Sequence, residues 1–176
     1  FFLNIFRLKP EDCSIIRLSA PLKKQYSIEH NLDYDRLLDS SPYKEAHRLQ
    51  MIQWGERKRE SDPGYFCHLA TEEQDKPVWL VSDCRRPSDV EYFKSHYSTG
   101  PAPFPAYSCC VLVRVSASDE VRRSRGWGWV GGVDDGPSEC ALDEVSCDYH
   151  VINNGIEEQL DVKLKELLNF IHKSLK

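Results

Sequence analysis

The sequence has no excess of positive charge, no long apolar run, no C-x-x-C pair and no phosphate-loop consensus. Each absence removes a class of protein. Lysine and arginine number 23 against 28 aspartates and glutamates, for a net charge of −5, whereas a general nucleic-acid binder would normally be basic. Against this acidic background, a local cluster of uncompensated arginines is more informative. No apolar stretch approaches the roughly 18 residues of a membrane helix. Phe1 to Leu8 is apolar but short, with no basic leader and no small-residue cleavage site, and does not read as a signal peptide. Seven cysteines, at 13, 67, 84, 109, 110, 140 and 147, form an odd set. That argues against a disulfide framework or structural zinc and for free thiols in a reducing compartment. The six histidines lack metal-ligand spacing, and no nucleophile–base pairing suggests a hydrolase.

What is present is an ordinary globular composition, 40% hydrophobic and 29% charged over 176 residues. This length suits one domain spanning residues 1–176, with room for a real core. Strand-like and helix-like segments alternate, which predicts an α/β fold with a mostly parallel sheet. Cys13 to Leu18 reads as a strand, Ser19 as the cap of a helix with Pro21 in its first turn, and 32–38 as a short helix. Tyr107 to Val115 reads as a buried strand, 138–143 as a turn or short helix, and 148–152 as a last strand. Asn153, Asn154 and Gly155 turn the chain into a closing amphipathic helix with Ile156, Leu160, Leu164, Leu167, Ile171 and Leu175 on its apolar stripe.

Two segments carry chemistry. In Pro77 to Phe93, the apolar run Val78–Val81 predicts a strand buried on both faces. Ser82 and Asp83 end it, Arg85 and Arg86 follow, and Pro87, Ser88 and Asp89 start a helix. Ligands of open α/β sheets bind at the carboxyl ends of strands, so two guanidinium groups there invite an anion. A capped helix with surface arginines is the other reading. Asp83 either holds magnesium through water or caps the next helix.

The second segment is the helix predicted from Tyr43 to about Arg59, with Ser40, Ser41 and Pro42 as its start signal. With Lys44 at zero and 100° per residue, Arg48 falls at about 40° and Arg59 at about 60°, while Gly55 at about 20° leaves room for close approach. Glu45 and Glu56 lie further round, as imperfect partners. A basic stripe of this kind is either a solvated face or an anion site.

The loop 98–106 is rich in proline. The lid-like stretch at about 116–138 holds Arg122, Arg123 and Arg125 among glycines and tryptophans, and reads as a mobile basic segment of the kind that closes over phosphates or as a surface loop. Gly126, Gly128 and Gly131 satisfy G-x-G-x-x-G, but without a following helix or βαβ context they make no dinucleotide site. Charge-assisted bonds to phosphate contribute roughly 1.5–3 kcal/mol each. Cations at 17, 23, 44, 48, 59, 85, 86, 114, 122 and 125 could therefore hold a small polyanion, which is what phosphoryl transfer requires.

A set of motifs then occurs in order. They are Arg17-Leu-Ser-Ala-Pro-Leu-Lys23, Leu37-Leu-Asp39, Tyr43-Lys-Glu-Ala46, Met51-Ile-Gln-Trp-Gly-Glu56 and Asp62-Pro-Gly-Tyr-Phe-Cys67. Trp79-Leu-Val-Ser-Asp-Cys-Arg-Arg86, Arg125-Gly-Trp127 and Gly132-Val-Asp-Asp-Gly-Pro-Ser-Glu-Cys140 follow. Together they resemble animal-type phosphomevalonate kinase over roughly residues 11–175. The resemblance implies a P-loop, nucleoside-monophosphate-kinase-like fold. It implies transfer of the ATP γ-phosphate, with Mg2+, to 5-phosphomevalonate, giving 5-diphosphomevalonate in the mevalonate route to isoprenoids and sterols.

By position, the resemblance assigns Lys23, Lys44, Arg48, Arg59, Arg85, Arg86, Arg114 and Asn154 to the acceptor. Arg122, Arg125 and Asn153 go to the nucleotide, Arg85, Arg86 and Asp83 to catalysis, and Asp83 to the metal. It further implies a cytosolic monomer without nucleic-acid or membrane partners. The resemblance also allows a peroxisomal location, but Ser174-Leu-Lys176 is not an S-K-L signal.

The sequence departs from the family in three places. Residues 1–12 are atypical and contain no Gly-Lys-rich loop, so the expected fold lacks its first strand and phosphate loop, and ATP binding is expected to be weak. The 98–106 loop is long, and Gln159 stands where a basic residue is usual. The alternative reading is therefore a non-catalytic anion-binding variant of the kinase.

Overall fold

The computed structural model describes residues 10–39, 41–98, 110–132 and 134–174. The chain divides into two compact units, Glu11–Cys84 and one built on Arg85–Lys176. Each unit is centred on one parallel pair of strands.

In the first unit, a 3-10 turn at Pro10–Asp12 leads into β1 (Cys13–Ile16). The ends of β1, Cys13 and Ile16, are buried and Ile15 is exposed. β1 pairs in parallel with β2 (Val78–Val81), in register from Cys13 opposite Val78 to Ile16 opposite Val81. A parallel pair needs a long crossover. Here the crossover carries α1 (Ser19–Glu29), a 3-10 turn (Asp35–Leu37), α2 (Pro42–Ser61) and α3 (Tyr65–Thr71). Pro42 at the first position of α2 and extended Ser41 before it start that helix as its sequence predicts. Tyr26, Leu37, Met51, Trp54 and Phe66 are buried together, and Leu22, Leu32, Tyr43 and Tyr65 pack around them.

In the second unit, α4 (Pro87–Tyr97) precedes β3 (Val113–Ser116). The short α5 (Asp119–Ser124) and α6 (Pro137–Cys140) separate β3 from β4 (Tyr149–Ile152), and α7 (Glu157–Ser174) closes the chain. β3 and β4 pair in parallel, Val113 opposite Tyr149 through Ser116 opposite Ile152. Val151, Leu164 and Leu167 form the core there, with Val113, Tyr149, Leu160, Phe170 and Ile171 against them. The predicted apolar stripe of the closing helix is thus the packed face. Ile156 is the exception, 50% exposed and ahead of the helix. Leu175 lies outside the described residues.

The α/β class and parallel pairing hold, with four corrections. Among the described residues the strands form two pairs rather than one sheet, and all four residues of β2 stay half-exposed because β1 is its only described neighbour. The strand expected at 107–115 begins at Val113: the Leu112 N–H donates to the Asp148 carboxylate at 2.7 Å, and the partner strand starts only at Tyr149. Residues 99–109, with most of the proline-rich loop, lie outside the described residues. Ser19 is the first residue of α1 rather than its cap; Leu18 takes the cap position without a side-chain bond. Gly55 makes room for a neighbouring helix, since a Cβ there would lie 2.8 Å from Leu22 Cδ1.

Candidate functional site

The site residues fall in both units, and each set is built by its own local structure. In the first unit, Asp83 stands just past the end of β2. Its Oδ1 accepts the Leu18 N–H at 2.7 Å and its Oδ2 the Ser19 N–H at 3.0 Å. Both are among the orphan donors at the start of a helix, so Asp83 caps α1, a helix more than sixty residues upstream, and not the next one. A carboxylate has about four lone-pair positions, so two are left over for water. Outer-sphere contact with a metal fits this geometry. Among the described residues, no group of three or more His, Cys, Asp or Glu could hold a metal directly.

Lys23 lies half-buried on α1, beside the Leu22 that packs on Gly55, and Lys44 lies half-buried in the first turn of α2. Arg48 and Arg59 do find the glutamates that the angular count had set aside, Glu45 at 3.5 Å and Glu56 at 3.8 Å. Residues three apart are neighbours on a helix surface, and long side chains close the remaining offset. Both contacts are at the long end for an ion pair. The Arg59 guanidinium also stacks over the Phe66 ring at 4.6 Å, and its side chain is only 11% exposed. Packing against that ring holds the cation alongside its pairing.

In the second unit the next helix is capped by Asp89. Its buried Oδ2 accepts the Arg85 N–H at 3.2 Å and the Arg86 N–H at 3.1 Å. The backbone of the two arginines is therefore clamped at the N-terminus of α4, with Arg86 extended at the cap position. Helix N-termini favour anions, and here the Asp89 carboxylate itself takes the Arg85 and Arg86 N–H donors. Arg85 Nη1 donates to Glu139 Oε1 at 2.5 Å. On β3, Arg114 Nη1 donates to Asp143 Oδ1 at 3.1 Å and Nη2 to the Leu142 carbonyl.

The basic stretch after β3 is anchored at its base. Ser118 Oγ caps α5 by accepting the Val121 N–H, and the Ser118 N–H donates to Asn154 Oδ1 at 2.8 Å. Arg122 stacks on the Trp127 ring at 3.6 Å. Arg125 Nη2 donates to both the carbonyl and Oδ1 of Asn153, at 3.2 and 3.0 Å. Gly155 has φ +91° in this turn, a conformation that favours glycine. Beside Asn154 lies a mainly apolar cavity of about 460 Å³, lined by Ile152, Glu158, Gln159, Val162 and Lys163. It is a shallow, open groove, with Ile152 and Val162 more than half exposed.

Sequence reasoning missed Asp89 as the clamp, Glu139 and Asp143 as partners, and Trp127 as a stacking platform. Only the Asp89 position three residues into the helix was readable in advance.

Comparison with known proteins decides the family. The sequence profile of phosphomevalonate kinase matches residues 4–99. The phosphomevalonate kinase of Drosophila melanogaster is 38% identical over 166 residues, an overlap covering 92% of this chain and 82% of that protein. The chain belongs to the phosphomevalonate kinase family. Family membership makes it a phosphotransferase homologue and implies ATP as phosphate donor. It also gives the clamped Arg85–Arg86 pair a chemical context, a kinase whose acceptor already bears a phosphate. Among the described residues, no helix is long and apolar enough to cross a membrane.

Proposed function

We propose that the chain binds 5-phosphomevalonate as the acceptor for the ATP γ-phosphate, on a nucleoside-monophosphate-kinase-like fold of the P-loop type that lacks its first strand and phosphate loop, and that Arg85, Arg86 and Arg114 hold its phosphate. The observation that supports this most is the Asp89 clamp. Two consecutive arginines have their backbone fixed at a helix N-terminus by one buried carboxylate, so the backbone that carries both guanidinium groups needs no further ordering on binding. The resemblance also assigns Lys23, Lys44, Arg48 and Arg59 of the first unit and Asn154 of the second to acceptor binding, and Arg122, Arg125 and Asn153 to the nucleotide.

Transfer between two anions is a matter of positioning and charge neutralisation. Mg-ATP supplies the phosphoryl group and part of the neutralising charge. The arginines neutralise the acceptor's own phosphate and orient its reacting oxygen; Mg2+, where bound with ATP, would be held by Asp83 through water. The setting is a cytosolic monomer.

Calorimetric titration with 5-phosphomevalonate tests the assignment. Arg86→Ala should weaken binding by roughly tenfold or more, the loss of one charge-assisted contact. Lys173→Ala on the exposed face of α7 should leave binding unchanged. Equal effects of the two substitutions would overturn the acceptor-site assignment.

A further inference from the structure

Two arginines assigned to the acceptor end on one short acidic segment. Arg85 reaches Glu139 across 54 positions of sequence, and Arg114 reaches Asp143 and the Leu142 carbonyl across 28 or 29. That segment is itself built. Glu139 and Cys140 N–H groups donate to the Gly136 carbonyl at 2.8 and 3.1 Å, and the Asp143 N–H donates to the Cys140 carbonyl at 2.9 Å. The Cys140 thiol donates to the Asp134 carbonyl at 3.0 Å. The two carboxylates therefore stand on a hydrogen-bonded turn rather than on a loose tail. A guanidinium has five N–H donors in a fixed fork. Glu139 takes one end of Arg85 and leaves the others pointing elsewhere.

We propose that Glu139 and Asp143 are positioning residues for phosphate recognition, each holding one acceptor arginine in the orientation from which its remaining donors meet the acceptor phosphate. This rests on the acceptor-site reading of Arg85 and Arg114. An arginine as exposed as Arg85, at 51% of its side chain, has many rotamers to lose on binding. A carboxylate partner removes that loss beforehand, the same device by which outer partners orient the ligands of metal sites. The carboxylates lower the local positive potential as well. That opposes anion binding, but at these exposures solvent screens the effect.

The test is a double-mutant cycle on 5-phosphomevalonate affinity, measured by calorimetry on the full chain. Glu139→Ala should weaken binding about three- to tenfold. Glu139→Gln, which keeps an acceptor oxygen, should restore affinity to within about twofold of the parent. In an Arg85→Ala background, Glu139→Ala should have no further effect; a purely structural contribution of the turn would persist there. Asp143→Ala and Asp143→Asn should behave the same way against Arg114→Ala. Unchanged or tighter binding by both alanine variants would overturn the positioning role, as would losses that survive in the Arg→Ala backgrounds. Should Glu139→Ala fail to fold, the Gln variant decides: affinity well below the parent counts against the proposal. If Arg85→Ala and Arg114→Ala themselves bind like the parent, the acceptor-site reading falls, and this inference with it. If only the carboxylate variants are silent, the positioning role alone falls.

Discussion

Replacing Asp83 should destabilise the chain in the absence of any metal. Its two oxygens accept the Leu18 and Ser19 N–H groups at 2.7 and 3.0 Å. α1 has no acidic residue in its first turn and no side-chain bond from its own cap residue, so the anionic cap comes from the end of β2 alone. The Ser82 N–H continues the ladder to the Ile16 carbonyl at 3.0 Å, which brings Asp83 to that helix end. Losing a cap costs about 1 kcal/mol, and bonds to a charged group are worth roughly 1.5–3 kcal/mol each. Because Asp83 is half-exposed, the lower end applies, about 2–3 kcal/mol for Asp83→Ala. For a chain of this size that is a fall in Tm of about 4–12 °C. Asp83→Asn retains one acceptor oxygen but turns an amide N–H2 toward an N–H donor, and should lose about half as much. Circular dichroism melts in buffer containing EDTA provide the measurement. If Asp83→Ala melts within about 1 °C of the parent under those conditions, or loses stability only when Mg2+ is added, the cap is not what Asp83 does.

Glu29 gives a pH dependence of known sign. The Lys58 ammonium at 2.9 Å, and after it the Trp54 indole N–H at 2.8 Å, hold its carboxyl below the usual carboxylate range. The folded state then binds fewer protons than the unfolded one, so this contribution is present above the ordinary Glu pKa of about 4.3 and lost as pH falls through the folded value. Glu29→Gln should flatten that acid limb in denaturant titrations; parallel curves for parent and variant would refute the linkage. Leu164 is fully buried in the second unit, so Leu164→Ala should cost about 2–5 kcal/mol in urea unfolding. Val162→Ala, at a position 53% exposed on the same helix, should fall within about 0.5 kcal/mol of the parent; equal losses would contradict the packing assigned to α7.

Most elements were legible because their signals are local. Ser41-Pro42 announced α2, Pro87 to Asp89 announced α4, and the spacing of Leu160, Leu164, Leu167 and Ile171 gave the packed face of α7. The errors came where a distant residue completes the local structure. Ser19 looks like a cap, yet Asp83 fills that role across 64 positions. The strand before Val113 is shortened by a carboxylate from Asp148. Gly55 leaves room for close approach, as its place on the stripe suggests, and what approaches is the Leu22 side chain.

In the site, the basic residues could be picked out from charge alone, since arginines in an acidic chain are conspicuous. Their partners could not. Glu139 and Asp143 are two acids among 28, and only the turn that carries them brings them to Arg85 and Arg114. The Arg48 and Arg59 pairings were underestimated for a different reason. The angular count treats side chains as pointing straight out, whereas arginine and glutamate bend toward each other over one turn.

The central claim is that the clamped arginines recognise the phosphate of the acceptor. The most direct measurement is a calorimetric comparison of 5-phosphomevalonate with mevalonate, which has the same carbon skeleton without that phosphate, titrated into the full chain at one salt concentration. The account predicts micromolar binding of 5-phosphomevalonate and binding of mevalonate weaker by about a hundredfold or more, the equivalent of two charge-assisted contacts. Equal affinities for the two compounds would contradict it.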